Sequence, residues 1–299
     1  MALGFPIVDA HVHLWDLERI RYPWLTPPFA DDGPNGSVEP IARTYLLDDY
    51  LADAGAWEIG KLVHVDAGAV PEAALDETRW LQAMANERGR PDAIVAYAPL
   101  NDPEVERLLE AHAAHPNVRG IRQILNWHVD PRKTYSAHDL LQDPAFERGY
   151  ARLATHDLSF DCQIYPSQMR AAAALASRHP HTPMILNHAG MPTDRDAPGL
   201  EQWAEGMARL AEQPNVSVKI SGFGLVERNW SIASIRPFVL RTIELFGVER
   251  CMFASDFPTD RLFSDFDAVL GAYDHITADF SAHERRQLFA ANAERIYRI

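Results

Sequence analysis

Short apolar runs alternate along the chain with longer stretches of helical period. The runs lie at 6–13, 59–68, 92–100, 118–126, 158–166, 183–190, 215–224 and 250–257. Each is rich in Val, Ile, Leu or aromatic residues and is bounded by Gly, Pro, Asn or Asp, which predicts strands. Between them, "DPEVERLLEAHAAH" and "GLEQWAEGMARLAEQ" repeat apolar residues every three or four positions, as amphipathic helices do. Asp102 is placed to cap the first of these with Pro103 as its first residue, and Pro214 stops the second. "SAHERRQLFAANAERIYRI" reads as a closing helix. Strands that alternate with helices are parallel, and this number of them predicts an α/β fold of the closed (β/α)8 TIM-barrel type. An open doubly wound sheet would call for a Gly-rich phosphate loop after the first strand, and none is present. Residues 14–44 break the pattern with "RYPWLTPPFADDGPNG", a stretch crowded with Pro, Gly and aromatics. A long loop directly after the first strand is expected to cover an active site. No repeat or linker divides the chain, so residues 1–299 are expected to form a single domain.

Composition narrows the function. The net charge of -14 repels phosphate backbones and anionic lipid, so nucleic acid and membrane surfaces are excluded as partners. A small molecule is the expected partner, with an anionic one requiring a local basic pocket. Two cysteines, Cys162 and Cys251, provide neither a disulfide framework nor a cysteine metal site. No apolar run reaches membrane-spanning length and no leader pattern precedes the first strand, so the expected compartment is the cytoplasm. Monomer and homodimer are equally compatible with the sequence.

The chemistry sits at the strand ends, where barrels of this type carry their sites. The first strand reads "PIVDAHVHLWD". By strict alternation Asp9, His11 and His13 share one face, a costly arrangement for a buried strand unless the polar groups are used. The second strand ends in His64 and Asp66, the fourth in Arg122, Asn126, Trp127 and His128, and the fifth in Gln163 and Tyr165. His188 ends the sixth, Lys219 and Ser221 the seventh, and Asp256 the eighth. Imidazoles with a carboxylate suit a zinc-type ion, which makes hydroxide available near neutral pH. Without a metal, Asp256 could still activate water while the histidines polarise a carbonyl. Lys219 would contact substrate or pair with Asp256 or Asp9, and Arg122 would bind a substrate anion or pair with a carboxylate such as Asp161. His64 and His128 are expected to line the pocket, and Trp127 to be core or pocket wall. His112, His115, His179 and His181 are expected to be solvated.

The motifs "DAHVHLW", "YPWL", "ILNHAGMP", "VSVKISG", "FASDFP" and "NAERIY" occur in this order over nearly the whole chain. Together they resemble the amidohydrolase superfamily, amidohydrolase family 2. The likeness is to its single-domain branch of sugar-acid lactonases, sulfomuconolactonases and pyrone-dicarboxylate lactonases. The resemblance implies a (β/α)8 barrel and hydrolysis. It also implies His11 and His13 as the first-strand pair, His188 as the next histidine, and Asp256 as acid/base. The metal set would then be His11, His13, His188 and Asp256. Binuclear members carry a bridging carbamylated lysine or glutamate in mid-barrel, where this chain has Arg122, Gln163 and Tyr165. One divalent ion, with zinc the leading candidate, or none is therefore expected. The implied reaction opens a sugar-acid lactone or a carboxylated muconolactone- or pyrone-type lactone. Asp256 and His188 would do the chemistry, with Arg122, Tyr165, Gln163, Trp127, His64, Lys219 and Trp15 holding substrate. A zinc-dependent non-oxidative decarboxylase is the rival within the same barrel, and a non-catalytic barrel that binds a small acid is the rival outside it.

Overall fold

The structure is a computed structural model that describes residues 3–299. Its strands are β1 (Ile7–Val12), β2 (Ile59–Val65), β3 (Ala93–Tyr97), β4 (Val118–Arg122), β5 (Ser159–Cys162), β6 (Met184–Leu186), β7 (Val216–Ile220) and β8 (Cys251–Phe253). They form one 8-stranded sheet in sequence order, and every neighbouring pair is parallel. The sheet curls back on itself. His13 N donates to Phe257 O at 2.8 Å and Asp256 N to His11 O at 2.9 Å, which ties the end of β8 to β1. The ring of strands is thus nearly closed, as the alternating pattern predicts.

The helices around it are α1 (Leu47–Ala54), α2 (Ala74–Arg88), α3 (Val105–Ala113), α4 (Pro144–Tyr150), α5 (Met169–Arg178), α6 (Ala197–Ala211), α7 (Ile232–Phe246), α8 (Phe266–Ile276), α9 (Ala282–Arg286) and α10 (Asn292–Tyr297). A π turn over Gln287–Ala291 joins the last two. Several starts are capped by side chains, as with Asp143 before Pro144 and Ser231 before α7, which satisfies the free N–H groups there. Asp102 behaves differently from the expectation. Its carboxylate accepts from Glu104 N at 2.7 Å, an Asx turn that delays the helix to Val105.

Two apolar layers sandwich the strands. Phe160, Cys162, Leu186, Val218, Ile220 and Phe253 face out into the main core under the helices. Val8, Ala10, Val63, Val65, Ile185, Met252 and Ala254 face inward and meet Ala290, Ala293 and Tyr297 at the end of the chain. The last helix therefore plugs the barrel floor. Among the described residues, no helix is long and apolar enough to cross a membrane.

The first strand departs from strict alternation. Its register against β2 shifts between Asp9 and Val12. Below the shift Val8 and Ala10 face the interior; above it His11 and His13 turn toward Asp256. Asp9 lies on the other side and accepts from Tyr50 of α1 at 2.9 Å. A bulge of this kind re-aims side chains beside a site, so Asp9 does not share the histidine face.

Candidate active site

Two adjoining strand ends build the centre. His11 and His13 leave β1, and Asp256 follows β8. His11 Nε2 and His13 Nε2 each lie 3.4 Å from Asp256 Oδ1, and a ligand atom from each of the three residues falls within 4.8 Å of the others. The imidazoles are held neutral. Burial drives His13 down to about 3 and His11 well below the ordinary histidine value, helped by the positive charge of Lys219. His13 Nδ1 donates to Val65 O at 2.8 Å, which leaves the Nε2 lone pair free, the usual arrangement of a ligating histidine. Asp256 Oδ2 and His11 Nδ1 are buried with no hydrogen-bond partner among the described residues. Two neutral imidazoles and a carboxylate with an unspent oxygen could hold one divalent cation and leave a position open for water.

His188 stands beside that set rather than in it. Its ring centroid is 4.7 Å from that of His11, and Nδ1 lies 3.0 Å from Ser221 Oγ. Burial brings it down to about 4, against the pull of Asp256. Both His188 and Asp256 sit at positive φ, 54° and 60°, a region that costs most side chains energy but that His and Asp visit more readily than others. Gly222 is what lets His188 stand there, since a Cβ on Gly222 would collide with His188 Nδ1. Burial also raises the Asp256 carboxyl, while the charges of His188, Arg122 and Lys219 oppose the rise.

A cavity of about 250 Å³ opens over these groups. His13, His188 and Asp256 line one end, and Asp66, Arg122, Gln163, Thr259, Trp24, Asn35 and Tyr135 much of the rest. Arg122 is largely committed. Its Nε meets Asp66 Oδ2 and its Nη2 meets Asp66 O, while Nη1 donates to Gln163 Oε1 at 3.1 Å and faces His11 Nε2 at 3.5 Å. Trp24 comes from the long loop after β1. Its indole N–H bonds Ala67 O at 2.8 Å, and its ring packs edge-on against Trp15.

Of the residues the sequence singles out, His13, His188, Asp256, Arg122 and Gln163 line the cavity, and His11 adjoins it through its contact with Asp256. The others lie elsewhere, each for a visible reason. Lys219 is buried with its Nζ on Asp161 Oδ1 at 2.6 Å; it does not line the cavity and pairs with neither Asp256 nor Asp9. Arg122 pairs with Asp66 rather than Asp161. His64 stands behind His13 and bonds Leu14 O at 3.1 Å. Trp15 backs Trp24, with its own N–H on Arg43 O. Tyr165 spends its hydroxyl on Lys133 O at 2.5 Å, and Trp127 is half-buried outside the cavity with its backbone N–H on Gln168. His112 is fully buried rather than solvated, held by Thr78 and Tyr97 O. Trp24, Asn35, Tyr135 and Thr259 enter the cavity without having been singled out. "YPWL" and "GPNG" carried the first two, but a loop offers no periodicity from which to read direction.

A family model described as "Amidohydrolase" matches residues 8–299. The chain is 44% identical to "Uncharacterized protein y4mH" of Sinorhizobium fredii over 98% of both chains. It is 30% identical to an "L-fucono-1,5-lactonase" of Burkholderia multivorans, over 99% of this chain and 97% of that one. Among solved structures, an amidohydrolase from Burkholderia multivorans with bound zinc superposes with a TM-score of 0.80 at 27% identity, over 99% of this chain and 100% of that one.

Proposed function

The chain belongs to the amidohydrolase family and is a hydrolase, and from that premise we propose that it opens a neutral, polyhydroxylated lactone. One observation carries the choice of substrate. Among the described residues, the cavity's single lining cation, Arg122, is already bonded to Asp66 and Gln163. A dicarboxylate would need further unspent cationic donors, because bidentate arginine contacts are what recognise such groups. The remaining lining groups, Gln163, Thr259, Asn35 and Tyr135, suit hydroxyls, and the Trp24 face suits the C–H side of a sugar ring. The relatives named as L-fucono-1,5-lactonases support the same reading.

The residues assign themselves roles in this reaction. Water attacks the lactone carbonyl as Asp256 removes its proton, for which the unpartnered Oδ2 is placed. If the Ser221 hydroxyl donates to His188 Nδ1 across their 3.0 Å contact, the imidazole carries its proton on Nε2 and stabilises the oxyanion. Collapse of the tetrahedral adduct breaks the ring C–O bond. Asp256 returns the proton to the leaving alkoxide, and the product is the hydroxy acid. A divalent cation held by His11, His13 and Asp256 would supply Lewis acidity and lower the pKa of water toward about 7.

A panel of hydroxylated 1,4- and 1,5-lactones with pyrone and muconate acids, followed by a pH indicator, tests this. Turnover of the hydroxylated lactones is expected. Asp256→Asn should cost at least about 10²-fold in kcat with little change in KM. Turnover confined to the carboxylated substrates, release of carbon dioxide, or near-normal kcat in Asp256→Asn would overturn the proposal.

A further inference from the structure

The roof of the cavity is made by two loops that meet at one hydrogen bond. Tyr135, from the loop after β4, donates its hydroxyl to Asn35 Oδ1 at 2.5 Å, and the two residues are 100 positions apart in the chain. Both residues line the cavity, and both come from loops beyond the β-strands. The bond leaves each with hydrogen-bonding capacity unspent. The Asn35 amide retains two N–H donors, and the Tyr135 oxygen retains a lone pair.

Each half of this pair is separately anchored. Tyr135 N donates to Asn126 O at 2.9 Å, at the root of its loop. Beneath that loop Tyr165 holds Lys133 O, and Lys133 reaches Asp194. On the other side Gly36 follows Asn35 at φ 65°. The Arg228 guanidinium occupies the space that a Cβ on Gly36 would need. A side chain at Gly36 would be strained at that φ and would push the guanidinium aside. Arg228 belongs to the segment after β7, so three loops meet beside Asn35.

We propose that Asn35 and Tyr135 are the specificity element of the site, reading a ring hydroxyl of the substrate remote from the scissile carbonyl. This rests on the lactone reading above and adds to it which groups select among lactones. A hydroxyl offers one donor and lone pairs. It can accept from Asn35 Nδ2 while donating to the Tyr135 oxygen. An unsubstituted ring leaves both polar groups facing it unpaired, and a site built to bond a hydroxyl rejects an analogue that lacks one for this reason.

Binding of unreactive ring amides by calorimetry tests the pair without depending on turnover. The probes are D-glucono-1,5-lactam and δ-valerolactam. The variants are Tyr135→Phe, Asn35→Ala and the double variant, with folding checked by circular dichroism. The wild type should favour the hydroxylated lactam, and each single variant should reduce that preference about tenfold, the worth of one lost hydrogen bond. The double variant should lose less than the product of the singles, because the two groups act on one hydroxyl. A preference within twofold of wild type in both single variants overturns the proposal. So does an equal loss of affinity for both lactams, which would make the pair a structural roof. Failure of the wild type to open any lactone would remove the functional reading while leaving this binding result to stand or fall by itself.

Discussion

At the scale of single residues, the site depends on groups that do no chemistry. Gly222 is the clearest. It holds φ 63°, and a side chain there would strike the His188 ring. Gly222→Ala therefore combines backbone strain with overpacking against the imidazole, each costing about 1–3 kcal/mol. Relief would come by moving His188 away from Ser221. A displacement of about 1 Å at a reacting group can cost on the order of 10² in rate. The variant is expected to fold, as judged by circular dichroism, and to lose at least about tenfold in kcat. Wild-type kcat would show that His188 can move without consequence. Asp66 tells the same story from the other side. It ends the second strand in plain view in the sequence, yet its work is to hold Arg122, and no local pattern marks one buried charge as the partner of another.

At the scale of elements, the hydrophobic rhythm made eight strands and most helices legible, because a parallel strand buried on both faces must read as an unbroken apolar run. It also marked the polar residues that stand at strand ends. What it could not carry was the bulge in β1, since an inserted residue changes which face a side chain takes without changing composition. Nor could it carry the inward face of α2, where Glu77, Thr78 and Gln82 are buried among Leu81 and Ala85. Each finds a distant partner: Glu77 accepts from Tyr22 at 3.0 Å, Thr78 meets His112 and Gln82 meets Asn117. Burial, together with the negative charge of Asp66, raises Glu77 to about 8. A carboxyl whose folded pKa lies above its unfolded one contributes stability below the unfolded value, and this is lost as pH climbs to the folded one. The window runs from the ordinary glutamate value of 4.5 to about 8. Glu77→Gln removes the titration and keeps a hydrogen-bonding group. Its melting temperature relative to wild type should therefore rise by several degrees between about pH 5 and pH 8, since each pH unit that separates the folded from the unfolded pKa is worth ~1.4 kcal/mol. The buried histidines are common to both proteins and cancel in the difference. A constant difference across that range would mean that Glu77 is ionised in the fold throughout.

At the scale of the whole molecule, the barrel is closed from below by α10, which packs on an inward apolar layer. Tyr297 of α10 reaches the interior and donates to Asp161 at 3.0 Å, which also receives Lys219 at 2.6 Å and Asn187 at 3.1 Å. Lys219 and Asp161 are both fully buried. A pair so placed does not guarantee net stability, because desolvation offsets the attraction, but breaking it strands a charge. This separates the structural role of Lys219 from the substrate-binding role that its position in the sequence invites. Lys219→Met leaves Asp161 without its cation and should cost about 3–5 kcal/mol in chemical denaturation, whereas Lys219→Met with Asp161→Leu should recover most of that loss. A substrate contact would give the opposite pattern: a raised KM at unchanged stability, with no rescue by the second substitution. The ion pair, the aromatic plug and the interior apolar layer would then account for how the floor holds its shape while the mouth is left to the loops. In that division of labour, variation in 14–44 and 126–139 should alter what the cavity accepts, and variation in Asp161, Lys219 or Tyr297 should alter whether there is a barrel to hold it.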